Sequence, residues 1–332
     1  MTHLPELDPA APVQFVVNAA AGSSDAAAKR AVIESVLHAQ GRLGELHFCK
    51  PAHLASVAGE AALRALSIRT AVVAVGGDGT LNTVAQGAHA AGCAMGVVPQ
   101  GTFNYFARVN GIPADPADAI RLLLRASPLP VQVAGINGHV FLVNASLGLY
   151  PELLEDREAY KSRFGRSRWV ALVAAGATLL RAPRRFRLHI EMGGTVRELE
   201  ALALFAGNNR LQLQQLGAEP EDSLPGTPGD GSMAGLVLRP IGRLSMLRLM
   251  LHGAMGRLGE AAGVERFEFE HLVVRPTLPQ GRRGVKVAFD GEVTTMRAPL
   301  DFRVLAKPLY LLRPRRSVAA ERAGSSTDGP VY

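Results

Sequence analysis

From Val13 onward, short apolar runs alternate with alanine-rich stretches whose apolar residues recur at helical spacing. "VQFVVN" (13 to 18) runs into the turn "AAAGSSD", and "DAAAKRAVIESVLHAQG" then reads as a helix with Asp25 near its start and Gly41 at its end. The strand "LGELHFCK", a helix over about 52 to 66, the strand "RTAVVAVGG", a helix over about 80 to 91 and the strand "AMGVVPQGT" follow. Strands spaced by helices predict βαβ units and a parallel sheet, with glycine loops at the carboxyl ends of the strands, where such folds bind ligands. From about 130 the rhythm changes. "LPVQVAGINGHVFLVNASLGL" alternates with period two around a hairpin at "GINGH", and "RRFRLHIEMGGTVRELEALALFAGN" repeats the pattern around Gly193 and Gly194. This predicts an antiparallel β domain, interrupted by one helical stretch over 152 to 181. Residues 217 to 232, rich in Pro, Gly and acid, read as a loop, and the tail from 315 to 332 as disordered.

At 332 residues the chain exceeds what one core supports, so two domains are expected. Aromatic residues make up only 5%, which argues against the stacking platforms of single-strand nucleic-acid binders; no nucleic-acid partner is expected. Cys49 and Cys93, the only two cysteines, build neither a disulfide framework nor a Cys-rich zinc site. The start "MTHLPELDPAAPVQ" lacks the pattern of an export signal, and the apolar stretch Trp169 to Leu180 is too short for the roughly 20 residues that cross a bilayer, so a cytoplasmic location is expected. A net charge of +7 favours a polyanion without choosing among nucleotide, nucleic acid and anionic lipid.

Candidate chemistry begins at "VVAVGGDGTLNTVAQG" (72 to 87), where strand, glycine turn and helix start would converge backbone N–H groups on an anion, phosphate above all. Taken alone, Gly76, Gly77 and Gly79 are equally explained by a tight turn with positive φ. The spacing is neither the Walker pattern nor the dinucleotide G-x-G-x-x-G. Asp78 sits inside the turn, where its carboxylate would repel phosphate unless a cation bridges them, which implies magnesium. One strand later "VVPQGTFNYFARVNGIP" (97 to 113) repeats the arrangement with Gly101, Thr102 and Asn104.

"GGDGTLN", the preceding "VVNAAAGS", the following "PQGTFNYFAR" and the distant "VAFDGE" (287 to 292) together resemble the diacylglycerol kinase catalytic-domain family of soluble lipid kinases, over about residues 12 to 314. The resemblance implies an α/β nucleotide-binding domain of the NAD kinase/diacylglycerol kinase kind (12 to 130, after a disordered 1 to 11). An antiparallel β-sandwich domain with the lipid site (131 to 304) would follow, with ATP in the cleft between them and the segment 305 to 314 returning to the first domain. It implies that Gly76, Gly77, Asp78, Gly79, Thr80 and Asn82 hold the ATP phosphates and Mg2+, with Asn18 on one side and Gly101, Thr102 and Asn104 on the other. Asp290 would be the base on the lipid hydroxyl, Asp78 being the alternative, with Glu292 assisting the metal and Asp230 in "GDGSM" on a structural magnesium. Asp290-Gly291 is equally a hairpin turn, and Asp230 a solvated loop residue.

The sequence departs from the family's pattern at four places: N-P-x-S-G is "NAAAG", and expected carboxylates are Thr83, Tyr105 and Tyr150. Basic residues over 161 to 187 (Lys161, Arg163, Arg166, Arg168, Arg181, Arg184, Arg185, Arg187) bracket "WVALVAAGATLL" and suit either an interfacial helix on anionic lipid at the inner face of the membrane or a core helix with solvated arginines; Arg313, Arg315 and Arg316 add to the first reading. The histidines lack ligand spacing, and Ser146 lacks the G-x-S-x-G elbow. The expectation is therefore an ATP- and magnesium-dependent kinase acting on a lipid hydroxyl, diacylglycerol or a related lipid. An NAD kinase-like enzyme and a catalytically weak nucleotide- or lipid-binding regulator are the rivals, and a homodimer is left open.

Overall fold

The computed structural model describes residues 4–20, 25–101, 104–148, 186–208, 231–240, 263–277 and 284–315. The helical stretch over 152 to 181, most of the loop 217 to 232, the tail from 316, Thr102, Tyr150, Asp230 and all the arginines and lysines of the basic cluster except Arg187 lie outside them. Two compact units divide the chain, one formed by residues 1–130 and 309–332, the other by 131–308.

The first unit alternates strand and helix: β1 (Val13–Asn18), α1 (Ala26–Ala39), β2 (Gly44–Cys49), α2 (Leu54–Ser67), β3 (Ala71–Gly76), α3 (Asp78–Ala91), β4 (Ala94–Pro99), a short α4 (Tyr105–Val109), α5 (Pro116–Arg125) and β5 (Pro128–Val131). The sheet order is β2-β1-β3-β4-β18-β5, where β18 (Leu309–Leu312) comes from the far end of the chain. β18 lies parallel to β4, and the β1–β2, β1–β3 and β3–β4 pairs are parallel too. β3 and β4 are buried along their whole length, which is why they read as unbroken apolar runs rather than alternating ones. Asp25 caps α1 by accepting from the Ala28 N–H at 2.7 Å, as the sequence predicts, and Asp115 caps α5 through the Asp118 N–H at 2.9 Å. Residues before β1 are also anchored: the Asp8 N–H donates to the Arg69 carbonyl at 2.7 Å, and Ala11 is buried.

The second unit contains two six-stranded antiparallel sheets. One has the order β10-β9-β14-β17-β6-β7 and the other β13-β12-β11-β8-β15-β16. The strands are β6 (Ala134–Ile136), β7 (His139–Phe141), β8 (Asn144–Gly148), β9 (Phe186–Met192), β10 (Thr195–Ala201), β11 (Ala203–Gly207), β12 (Met233–Leu238), β13 (Val264–Phe269), β14 (His271–Pro276), β15 (Gly284–Phe289), β16 (Glu292–Arg297) and β17 (Leu300–Val304). Leu188 and Phe302 from the first sheet share one core with Leu147, Leu204 and Val287 from the second, so the inner faces pack as a β-sandwich. The predicted hairpin at "GINGH" joins β6 to β7 through Asn137 and Gly138, both at positive φ (48° and 83°), the conformation a two-residue hairpin turn requires. Gly193-Gly194 and Asp290-Gly291 turn β9 into β10 and β15 into β16 in the same way.

Candidate functional site

The glycine turn of the first unit lies between β3 and α3. α3 begins at Asp78, two residues earlier than the spacing predicts, because Gly77 takes an extended conformation (φ −84°, ψ −177°) and serves as the N-cap. That places Asp78 in the first helical turn, where the helix dipole favours an acidic side chain. Gly76, Gly77 and Gly79 are not among the glycines at positive φ, so a turn that needs left-handed residues does not account for them. At Gly76 and Gly77 the reason is close approach. A β-carbon on Gly76 would lie 2.6 Å from the Thr80 side chain, and one on Gly101 would lie 2.9 Å from the Gly77 Cα. The loop after β4 is laid directly on the loop after β3, and the Gln100 N–H donates to the Gly76 carbonyl at 2.8 Å to fix the register.

Asn104 holds the second loop closed. Its Oδ1 accepts from the Gly101 N–H at 2.8 Å and its Nδ2 donates to the Gly101 carbonyl, also at 2.8 Å, while its own backbone sits in the left-handed region (φ 46°). The resemblance places Asn104 on the nucleotide side, and in the structure its amide also shapes the loop. Asn18, at the end of β1, donates from Nδ2 to Thr80 Oγ1 at 3.0 Å and accepts from the Ala20 N–H at 3.0 Å. Asn18, Thr80, Gly76, Gly77, Asp78 and Gly101 therefore belong to one cluster at the carboxyl ends of β1, β3 and β4. Asn82, one turn further along α3, is buried.

Burial pushes the Asp78 carboxyl above the usual carboxylate range, opposed by the main-chain N–H groups of Asn104 and Tyr105. Asp78 Oδ1, Gln100 Oε1 and Tyr105 Oη are buried without a hydrogen-bond partner among the described residues. Orphaned buried oxygens are costly, and an acceptor on a carboxylate is answered by a cation. The donor set thus fits a magnesium ion at Asp78, and the bare glycine backbone beside it fits phosphate. No group of three or more His, Cys, Asp or Glu gathers among the described residues. Thr83, where the family pattern has an acid, donates from Oγ1 to the Gly79 carbonyl at 3.0 Å within its own helix.

Lys29 is the residue that sequence reasoning missed. It is 2% exposed on α1, and its ammonium donates to the Asn18 carbonyl at 3.2 Å. Burial lowers its pKa, opposed by Asp25. A signal was present: Lys29, Ile33, Val36 and Leu37 share the helix face that packs inward.

In the second unit, Asp290 and Glu292 flank the turn from β15 to β16. Glu292 is exposed, whereas Asp290 is 8% exposed with φ 47°. Its Oδ2 accepts from the Leu142 N–H at 2.7 Å, and its Oδ1 from the Val143 and Asn144 N–H groups at 2.8 and 3.2 Å. Asp290 is thus both the hairpin-turn residue and the acceptor for a second turn.

Residues 12–136 match the sequence profile of the diacylglycerol kinase catalytic domain. The chain is 33% identical over 139 residues to the diacylglycerol kinase of Bacillus subtilis (strain 168), an alignment covering 41% of this chain and 44% of that protein. Over 147 residues it is 30% identical to the Cronobacter sakazakii protein named probable lipid kinase YegS-like, covering 42% and 48%. The aligned stretches span less than half the length of these relatives. The crystal structure of a diacylglycerol kinase from Bacillus anthracis str. Sterne superimposes with a TM-score of 0.62 at 18% identity, covering 95% of this chain and 98% of that one. The resemblance read from "GGDGTLN", "VVNAAAGS" and "PQGTFNYFAR" is borne out in these comparisons. The family profile ends at 136, and beyond that point the likeness to solved structures is one of fold.

Proposed function

We propose that the protein is a kinase that transfers the γ-phosphoryl group of ATP to the hydroxyl of a lipid, diacylglycerol or a close relative, with Mg2+ as the metal. The single observation that carries this reading is the pair of stacked glycine loops with an Asp78 oxygen beside them that has no partner among the described residues. Phosphoryl transfer through a loose transition state asks the protein for alignment and charge neutralisation more than for covalent chemistry, and this cluster offers both.

In this reading the backbone of Gly76, Gly77, Gly79 and Gly101 lies along the phosphates, the start of α3 supplies the positive end of a helix dipole, and Asp78 holds the metal. Asn18 and Thr80 brace one wall. Thr102, Glu292 and Asp230 are assigned to the nucleotide and metals by resemblance. When bound, Mg2+ would neutralise the β- and γ-oxygens as charge develops on the leaving group. Lipid as acceptor is supported by the names of the relatives and by "GTFN" and the late "DGE", which set the sequence apart from NAD kinase-like enzymes. Work at the inner face of the membrane follows from that acceptor.

The test is transfer of label from γ-³²P ATP, with Mg2+, to diacylglycerol in phosphatidylglycerol vesicles, to a panel of other lipid alcohols, and to NAD. Label in a lipid supports the proposal. Label in NAD alone overturns the lipid assignment, and label in none leaves a nucleotide- or lipid-binding regulator.

A further inference from the structure

We infer that Lys29 is a positioning residue of the phosphate site: its buried ammonium holds the carboxyl end of β1 and, through Asn18 and Thr80, the first turn of α3, and it brings a positive charge to the cluster where the phosphates lie. The phosphate ligand in this inference rests on the kinase reading above. Lys29 stands in the first turn of α1, 2% exposed, and its Nζ donates to the Asn18 carbonyl at 3.2 Å. The Asn18 side chain continues the line. Its Nδ2 donates to Thr80 Oγ1 at 3.0 Å, and its Oδ1 accepts from the Ala20 N–H at 3.0 Å. Thr80 is 4% exposed, and its side chain occupies the space that a β-carbon on Gly76 would enter. Contacts therefore run without a break from the ammonium to the glycine turn. The Ala19 N–H adds a main-chain tie to the Cys49 carbonyl at 3.0 Å, so the end of β1 is held by β2, α1 and α3 together.

Packing alone does not call for a lysine at this place. Ile33, Val36 and Leu37 form the rest of the buried face of α1, and an apolar residue at 29 would extend it. Taking an ammonium out of water is costly, and the cost is visible here: burial outweighs the attraction of Asp25 and lowers the Lys29 pKa. Asp25 is exposed, and its Oδ1 accepts from the Ala28 N–H at 2.7 Å as the cap of α1. A locally unfavourable choice of this kind marks a functional position when a ligand supplies the return. Polyphosphate at the carboxyl ends of β1, β3 and β4 is such a ligand, because a charge taken out of water is screened little. Local sequence points the same way. Ala19, Ala20 and Ala21 follow Asn18 with no side-chain hydrogen-bonding group, and Lys29 supplies from α1 the polar anchor that this stretch lacks.

Substitutions in the full chain test the role. Lys29→Met keeps the stem and removes both the charge and the donor. Without nucleotide it is expected to melt within about 3 °C of wild type, since the cost of burying the charge goes with it. Its Ala20 N–H should exchange faster as Asn18 loses its hold. Calorimetry should find Mg·ATP bound on the order of 10-fold more weakly and Mg·ADP less affected, because the effect of the missing charge scales with the charge of the ligand. In transfer to diacylglycerol vesicles the ATP KM should rise by a similar factor, with kcat within about 3-fold of wild type. Lys29→Arg, which keeps the charge and donors, should recover most of the ATP affinity. Wild-type ATP affinity in Lys29→Met overturns the inference, and so does equal weakening of ATP and ADP. A Tm more than about 10 °C below wild type in both variants makes Lys29 a packing residue and overturns it too. If the wild type binds neither nucleotide, the kinase reading falls, and Ala20 exchange in Lys29→Met still decides whether Lys29 holds the end of β1.

Discussion

Gly77 and Gly101 stand backbone against backbone: a β-carbon on Gly101 would come within 2.9 Å of the Gly77 Cα, and one on Gly77 within 3.3 Å of the Gly101 Cα. The first distance cannot be met without moving the main chain, and the second needs only a small give. Gly101→Ala is therefore expected to weaken ATP binding on the order of 100-fold, since displacements of about 1 Å are enough to cost that much. Gly77→Ala should cost less. Gly59→Ala, on α2 with nothing within 4 Å, should leave binding unchanged and stabilise the fold by about 0.5–1 kcal/mol. Titration calorimetry with Mg·ATP, beside thermal melts, checks the order.

Asp78 makes the ligand-free protein less stable as pH rises. Burial raises its carboxyl in the folded state, so the folded chain holds the proton more tightly than the unfolded chain. Stability falls as pH climbs from the ordinary aspartate range through the raised value, and the full cost is present above it. Asp78→Asn is expected to flatten that stretch of the Tm profile, to melt higher than wild type at pH 8 in EDTA, and to lose the Tm rise given by Mg·ATP. Melts across pH 4 to 8 with and without the nucleotide measure all three.

Glu265 on β13 has the opposite sign. The Arg239 guanidinium beside it, with Arg197 of β10 adding to the effect, holds its carboxyl below the usual range, and Arg197 links it at 2.9 Å across to the other sheet of the sandwich. This stabilisation is present above the ordinary glutamate value and is lost as pH falls through the lowered one. Both arginines are half exposed, so Glu265→Gln should cost at most about 1 kcal/mol at pH 7, with the difference gone at about pH 2. Urea unfolding at the two pH values reads it.

In the sandwich core, Leu147 on β8 is fully buried, while Val196 on β10 is 64% exposed. Leu147→Ala is expected to destabilise by about 2–5 kcal/mol, and Val196→Ala by no more than about 0.5 kcal/mol. Denaturant midpoints for the two variants test the assignment of inner and outer faces.

What could be read in advance followed from local physics. The alternation of apolar runs with capped helices around Asp25, and the Asn137-Gly138 turn, depend on neighbours within a few residues, and both stand in the structure. "GGDGTLN" was legible as a candidate site, yet what excludes a β-carbon at Gly76 is the Thr80 side chain, and what Gly77 meets is the backbone of Gly101 from another loop, with positive φ playing no part. Long-range partnerships left no spacing to read. Asp290 meets Leu142 across 148 positions, Asn208 meets Gln132 across 76, and β18 joins β4 from the far end of the chain. Lys29 fell between these cases: its helix face was legible, but a lysine there reads as solvated until burial is seen.

The central claim is that the loops at Gly76–Thr80 and Gly101 hold the phosphates of ATP through bare backbone and a cation on Asp78. Calorimetric titration of wild type, Gly101→Ala and Asp78→Asn with ATP, in Mg2+ and in EDTA, tests it most directly. The account predicts Mg2+-dependent binding by wild type, binding weakened on the order of 100-fold in Gly101→Ala, and loss of the Mg2+ dependence in Asp78→Asn. Equal binding by all three proteins, or binding indifferent to Mg2+ in the wild type, would contradict it.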